Sequence, residues 1–209
     1  MITAGSAAKS QELDWATSAG SSDSDQISDA GSGIATDPRG NSYVTGQFFG
    51  TATLGAGDNE TELDSAGSFD VFVAKYGPDG TLLWATSAGG GSDTDQGFGI
   101  ASDARGNSYV TGAFIETATF GAGDNETELT SAGDIDVFVA KYAPDGTLLW
   151  ATSAGGSDFD QGHGIATDPR GNTYVTGWFL GTATFGTGDN ETELDSAGGF
   201  DVFVAKYRP

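Results

Sequence analysis

The sequence predicts an all-β fold in which one four-stranded antiparallel unit occurs three times, and three observations carry that expectation. The segment GIATDPRGNSYVTG at Gly33–Gly46 returns as GIASDARGNSYVTG at Gly99–Gly112 and as GIATDPRGNTYVTG at Gly164–Gly177. Self-similarity on this scale is the signature of a stacked repeat architecture. The segment DVFVAKY occurs at Asp70–Tyr76, Asp136–Tyr142 and Asp201–Tyr207. Finally, the 34 glycines, against only 5 prolines, fall at fixed offsets beside Val, Thr, Tyr and Phe, the texture of short strands joined by tight turns.

Within each unit GIATD forms a first strand and SYVTG a second. They are joined by Pro38-Arg39-Gly40-Asn41, where Pro fixes one φ and Gly or Asn accepts a left-handed conformation. The connection that follows, 51–68 in the first copy, alternates only weakly. We assign it to a loop on one face, with room for a small hairpin, tipped by Asp58, Asn59, Glu60 and Glu62. DVFVAKY is the third strand and TLLWATSAG the fourth, joined by Gly77-Pro78-Asp79-Gly80. In the third strand Val71 and Val73 point one way and Phe72, Ala74 and Tyr76 the other, so both faces need cover, which radially stacked blades supply. The expected organisation is an N-terminal extension over 1–12 and three repeats over 13–209, with approximate bounds 13–76, 77–142 and 143–207.

The succession VFVAKY-x-PDGTLLWATSAGG, GIA-x-D, GN-S/T-YVTG and TATFG resembles the SBBP repeat of bacterial β-propellers, and GIATDPRGNSYV is also similar to NHL-type blades. The resemblance covers nearly everything after Leu13; Lys9–Trp15 departs from it, having neither a VFVAKY strand nor a Pro-Asp-Gly turn. It implies a β-propeller of four-stranded antiparallel blades and favours an extracellular or cell-surface bacterial setting, without implying a shared catalytic motif. A lone fourth strand at Leu13–Gly20 and a final third strand at Asp201–Tyr207 read as a split blade. Ordinary propellers have about 4 to 8 blades, and an open row of three exposes apolar faces and unpaired edges. The expected partner is therefore the chain itself: a homodimer closing one six-bladed ring, with a nine-bladed homotrimer or an unexpected monomeric closure as the alternatives.

Thirty acidic against eight basic residues give a net charge of −22, which repels nucleic-acid phosphates and anionic lipid headgroups. No apolar run approaches the ~20 residues that span a bilayer, and Met1–Gln11 lacks the pattern of a signal peptide. The expectation is no nucleic acid and no membrane insertion. Zero cysteines exclude disulfides and thiolate metal sites, leaving the compartment undetermined by cysteine usage.

The clearest chemical cluster is D-x-D-Q before each first strand: Asp23, Asp25 and Gln26; Asp93, Asp95 and Gln96; Asp158, Asp160 and Gln161. Hard oxygen ligands so spaced suit Ca²⁺, which takes six to eight of them; solvated loop or Asx-turn aspartates give the same pattern. The acidic GDNETE segments at Gly57–Glu62, Gly123–Glu128 and Gly188–Glu193 are less specific, and their Asn-Glu-Thr sequons read as incidental. Arg39, Arg105 and Arg170, with Lys75, Lys141 and Lys206, read as local charge partners. Trp84, Trp150 and Trp15 read as packing aromatics, whereas Trp178, where the other copies carry Gln47 and Ala113, is a candidate ligand contact.

The single histidine, His163, replaces Ser32 or Phe98 of the other copies. No nucleophile and acid stand at distinctive spacing around it, and neither a GxSxG nor a GxxxxGK motif occurs. The expected function is a noncatalytic scaffold for self-assembly and recognition of a carbohydrate or protein ligand, requiring no cofactor. A calcium-binding propeller module and a designed or reconstructed symmetric repeat without biological function are the alternatives; a propeller hydrolase or lyase is the least favoured.

Overall fold

The computed structural model describes residues 12–21, 29–91 and 94–209. Apart from three short 3-10 turns, their regular structure is strand, and no α-helix occurs among them. After the short β1 (Ala19–Ser21), the first unit holds β2 (Ala30–Thr36), β3 (Ser42–Leu54), β4 (Thr61–Tyr76) and β5 (Leu82–Gly89). The second holds β6 (Gln96–Ser102), β7 (Ser108–Phe120), β8 (Thr127–Tyr142) and β9 (Leu148–Gly156). The third holds β10 (Gln161–Thr167), β11 (Thr173–Phe179), β12 (Thr182–Phe185), β13 (Thr192–Asp195) and β14 (Asp201–Tyr207). Pairing is antiparallel and follows chain order within a unit, β2 to β3 to β4 to β5.

Turn chemistry explains the first hairpin. Asp37 Oδ1 accepts the amides of Arg39 at 2.8 Å and Asn41 at 3.1 Å, while Oδ2 accepts Asn41 Nδ2 at 2.7 Å. A carboxylate folded back on its own following amides is an Asx-turn, and it fixes the chain reversal before β3. Asp103 and Asp168 repeat the arrangement. These bonds outweigh the burial that opposes ionisation, so the Asp37 and Asp103 carboxyls are held below the usual range.

The connection assigned to a loop is instead strand. β3 and β4 run on past the body of the unit, pairing Thr51–Leu54 with Thr61–Asp64 around a 3-10 turn at Gly57–Asn59. A register shift between Phe49 and Thr51 bends β3 into this arm, and Ala52, Leu54 and Leu63 are buried beneath it. The alternation is weak in sequence because small Ala and Thr serve where larger residues would have declared a strand.

The arms also alter the expected separation into four-stranded sheets. Ala88 and Gly89 of β5 pair with Phe120 and Thr119 of the next arm, and Gly155 and Gly156 of β9 pair with Thr184 and Ala183. Units thereby merge into a sheet of eleven strands beside a three-stranded sheet of β10, β11 and β14, and neither sheet closes on itself.

One core cluster lies within the first unit, where Phe48, Leu54, Leu63, Phe72 and Leu82 pack together with Trp15 against them; the other two bridge neighbouring units. Tyr43, Val71 and Val73 of the first unit pack with Ile100, Val110, Phe114 and Phe138 of the second. Val137 and Val139 of the second pack with Val175, Phe179 and Phe203 of the third. Each unit thus has an incoming face that receives the unit before it and an outgoing face that enters the unit after it.

Candidate functional site

The outgoing face is the same set of side chains in every unit, which allows a comparison at constant chemistry. Val71 and Val137 are each 1% exposed, whereas their equivalent Val202 is 76% exposed; Val73 and Val139 are 0% and 1% exposed, whereas Val204 is 73% exposed. Tyr174 and Thr176 are likewise exposed where Tyr43, Tyr109, Thr45 and Thr111 are buried. The edge is bare as well. β4 and β8 are paired on both sides, but among the described residues β14 pairs only with β11. Beside it lies a cavity of about 620 Å³ lined by Phe185, Gly186, Leu194, Val204 and Tyr207.

The incoming face of the first unit has the complementary vacancy. A side chain built on Gly97 or Gly162 would collide with Thr45 and Val71, or with Thr111 and Val137, of the preceding unit, but around Gly31, among the described residues, only Val44 comes within reach, at 3.8 Å. A cavity of about 280 Å³ opens there, bounded by Ala30, Gly31, Ile34, Phe48 and Phe72 on one side and by Trp15 and Ser18–Gly20 on the other. Residues 12–21 lie where the fourth strand of a preceding unit belongs. Ala19–Ser21 pair with Thr53 and its neighbours as β5 pairs with the next arm, and Trp15 Nε1 donates to the Pro78 carbonyl at 3.0 Å just as Trp84 Nε1 donates to Pro144 at 2.9 Å. Leu13 is 82% exposed, while its equivalents Leu82 and Leu148 are 5% exposed.

The acidic cluster serves the backbone. Asp95 is buried, its Oδ1 accepting the Ile115 amide at 3.1 Å and its Oδ2 the Gly90 amide at 3.0 Å. Asp160 does the same for Leu180 and Gly156, so each ties the exit of one unit to the second strand of the next. Asp23, Asp25, Gln26 and Asp93 lie outside the described residues. In the first unit the anchoring role belongs to Asp29, which accepts Phe49 N at 3.0 Å and Ser21 N at 2.5 Å. Asp29 stands five residues before Ile34, as Asp95 stands before Ile100 and Asp160 before Ile165; counting back from GIA-x-D rather than matching D-x-D-Q would have found it. Asp158 Oδ2 accepts the Ser157 hydroxyl at 3.2 Å, Gln96 Nε2 donates to Gln47 Oε1, and Gln161 lies opposite Trp178. Among the described residues no three acidic or imidazole groups converge to hold a metal.

A second carboxylate, which the sequence did not mark, faces each anchor. Asp70 and Asp136 are buried, each with Oδ2 on one amide (Ala66 or Ala132) and Oδ1 unpartnered. Asp70 Oδ1 and Asp95 Oδ2 press on the same side of Gly89, at 2.5 and 2.9 Å from where a side chain would start. Burial, with the neighbouring Asp160 charge adding to it, pushes the Asp136 carboxyl up to about 6 from 3.8. A raised folded-state pKa contributes stability that is complete below about pH 3.8 and lost as pH rises through 6. Asp136→Asn keeps the shape without the charge, so its Tm is expected to exceed the wild type by a few degrees at pH 7.5 and to match it near pH 4. A variant less stable than wild type at pH 7.5 would contradict this account.

Trp178 and His163 form one aromatic group. Phe98 stacks on His163 at 4.9 Å between ring centroids, His163 lies 6.0 Å from Trp178, and Trp178 meets Phe200 edge-on at 4.5 Å. Burial lowers the His163 pKa, favouring the neutral ring. Lys75, Lys141 and Lys206 sit over the rings of Tyr43, Tyr109 and Tyr174, and Arg39 Nη1 reaches the Arg105 carbonyl at 3.3 Å; these cations join neighbouring strands and units.

With this geometry in hand, the family comparison is decisive. The SBBP family, described as a β-propeller repeat, matches residues 15–47, 83–113 and 149–178. The chain is an SBBP-repeat protein. Each matched stretch spans fourth strand to second strand, across the junction between units. The SBBP chain is also 31% identical over 159 residues to an uncharacterized WD repeat-containing protein of Acanthamoeba polyphaga mimivirus, and 27% identical over 153 residues to the regulatory protein FlaEY of Caulobacter vibrioides. The matches cover 69% and 72% of this chain but only 11% and 15% of those proteins. No helix among the described residues is long and apolar enough to cross a membrane.

Proposed function

We propose that this SBBP chain is a noncatalytic β-propeller scaffold that closes a six-bladed ring as a homodimer and displays its arms and loops for recognition of a carbohydrate or protein ligand. The exposure of Val202 and Val204, against their buried equivalents in the two preceding units, carries this reading. Those side chains fit the vacancy at Gly31, and β14 fits beside residues 13–20 of a second copy in the register already used by β4 and β5: Val202 opposite Ala19, Val204 opposite Thr17, Lys206 opposite Trp15. Head and tail differ, so the contact is heterologous and ends only when the ring closes.

The reading needs no enzyme chemistry and no cofactor. The His163 ring is engaged by Phe98 and Trp178, and the carboxylates of Asp95 and Asp160 are engaged by backbone amides. The acidic tips around Gly57–Asn59, Gly123–Asn125 and Gly188–Asn190 are the display surface. Native mass spectrometry tests the assembly: a mass of two chains is expected, three chains would replace the six-bladed ring by a nine-bladed one, and a single chain would end the proposal.

A further inference from the structure

The three copies are nearly identical, yet among the positions that differ in size and chemistry 32, 98 and 163 carry Ser, Phe and His, and 47, 113 and 178 carry Gln, Ala and Trp. Both positions meet the next unit. Gln47 of β3 is hydrogen-bonded to Gln96, the first residue of β6, and Phe98 of β6 stacks on His163 of β10. Residues 47, 113 and 178 on the outgoing side therefore stand against residues 96, 161 and, at a closed joint, Ala30 of the following copy. The pairs are Gln with Gln, Ala with Gln, and Trp with Ala. The other position runs in parallel: Phe98 faces His163, and His163 would face Ser32.

At the first position the largest outgoing side chain, Trp178, is matched by the smallest incoming one, Ala30, at the joint between chains; at the second, Phe98 meets His163 inside the chain and His163 would meet the small Ser32 at that joint. Ala30, Gly31 and Ser32 are exposed, whereas Gly97 is buried. Ala30 and Gly31 line the 280 Å³ cavity that an indole would enter. Trp178 is held ready, flanked by His163 and Phe200, so little side-chain freedom remains to be lost on docking.

We propose that Trp178 is the specificity residue of the inter-chain joint, seating its indole over Ala30 of a second copy of this chain, with Ser32 of that copy clearing space for His163. This rests on the ring closure proposed above and adds to it a reason why the final outgoing face enters the first incoming face rather than any other. The Trp–Ala pair excludes the alternatives by size: a Gln in place of Ala30 leaves the indole no room, and overpacking of that kind costs about 1–3 kcal/mol, which at one joint is about 5- to 150-fold in affinity.

The test uses four full-length chains: wild type, Ala30→Gln, Trp178→Gln and the double variant. Sedimentation velocity and native mass spectrometry give the dimer dissociation constant of each. Ala30→Gln is expected to weaken the dimer at least about tenfold, because the indole and the new amide compete for one space. Trp178→Gln weakens it by emptying that space. The double variant recreates the Gln47–Gln96 pairing and is expected to recover most of the wild-type affinity. A far-UV spectrum and melting curve for each chain separate assembly from folding, since both sites are on the surface of the single chain. A wild type that dimerises while Ala30→Gln dimerises equally tightly, or a double variant no better than Ala30→Gln alone, overturns the assignment of Trp178 and leaves ring closure standing. A wild type with the mass of one chain overturns ring closure, and this assignment with it.

Discussion

Val139→Asp is expected to unfold the chain, and Val204→Asp is expected to leave it folded while abolishing the two-chain species. The two valines occupy the same place in successive units. Val139 is buried against the third unit, among Val175, Phe179 and Phe203. A carboxylate buried among these apolar side chains costs about 4 kcal/mol or more, a large share of a typical stability of about 5–15 kcal/mol. Val204 meets solvent in the single chain, where a surface substitution changes stability by about 0.5 kcal/mol or less. The proposed closure would bury it, however, and a ring of two chains would have two such joints, so the penalty would be incurred twice on assembly. Far-UV circular dichroism reports folding and native mass spectrometry reports assembly. Val204→Asp chains that still run as pairs would show that this face is not the joint, and a Val139→Asp chain melting like wild type would show that the inter-unit core contributes little.

The hairpins were legible because their turns are chemical: Asp37, Gly40 and Asn41 declare a reversal through the hydrogen bonds that their side chains and backbone make. The two-sided cover of the third strand was legible because Val71, Phe72 and Val73 leave no polar face to give to water. The arms were not, since an extended strand of Thr, Ala and Gly carries little hydrophobic contrast and its pairing across units is a tertiary event. The acidic motif was legible as a cluster but not as a role. Carboxylates that satisfy amides from two different units look in sequence like carboxylates awaiting a cation, and the opposite member, Asp70 or Asp136, lies in a strand that reads as apolar. Trp178 stood out as a departure between copies; what it faces depends on which units adjoin, and only the Gln47–Gln96 contact reveals that.

These differences share one cause. In a stacked repeat the stabilising contacts run between neighbours, so a residue's task is set by its counterpart one unit away. Asp95 joins β5 to β7, Trp84 caps the turn at Pro144, and Thr167 Oγ1 donates to the Ser102 carbonyl at 3.0 Å. Reading along one copy recovers the strands; reading across copies is needed to recover the joints.

Gly112→Ala extends that principle to the backbone and is expected to cost about 3 kcal/mol or more, lowering Tm by roughly 6–12 °C. Gly112 lies in β7 opposite Gly97, where β6 is bulged between Gly97 and Gly99. The bulge brings the Gln96 carbonyl oxygen over the Gly112 Cα, so a methyl group there would overlap that oxygen and lie 2.7 Å from Phe138 Cε1. Relief requires β6 to move away from β7, and β6 is the strand through which Gln96 and Ile100 touch the first unit. The disturbance therefore spreads into a joint as well as a hairpin. Gly46 and Gly177 face the carbonyls of Ala30 and Gln161 in the same way, so the effect should recur in each unit. Gly199→Ala is the control, because nothing lies within 4 Å of its added methyl. Thermal melts of the two variants decide the point: a Gly112→Ala chain melting within about 2 °C of both wild type and Gly199→Ala would mean that the two strands can separate at no cost, and that the bulge does not fix β6 against β7.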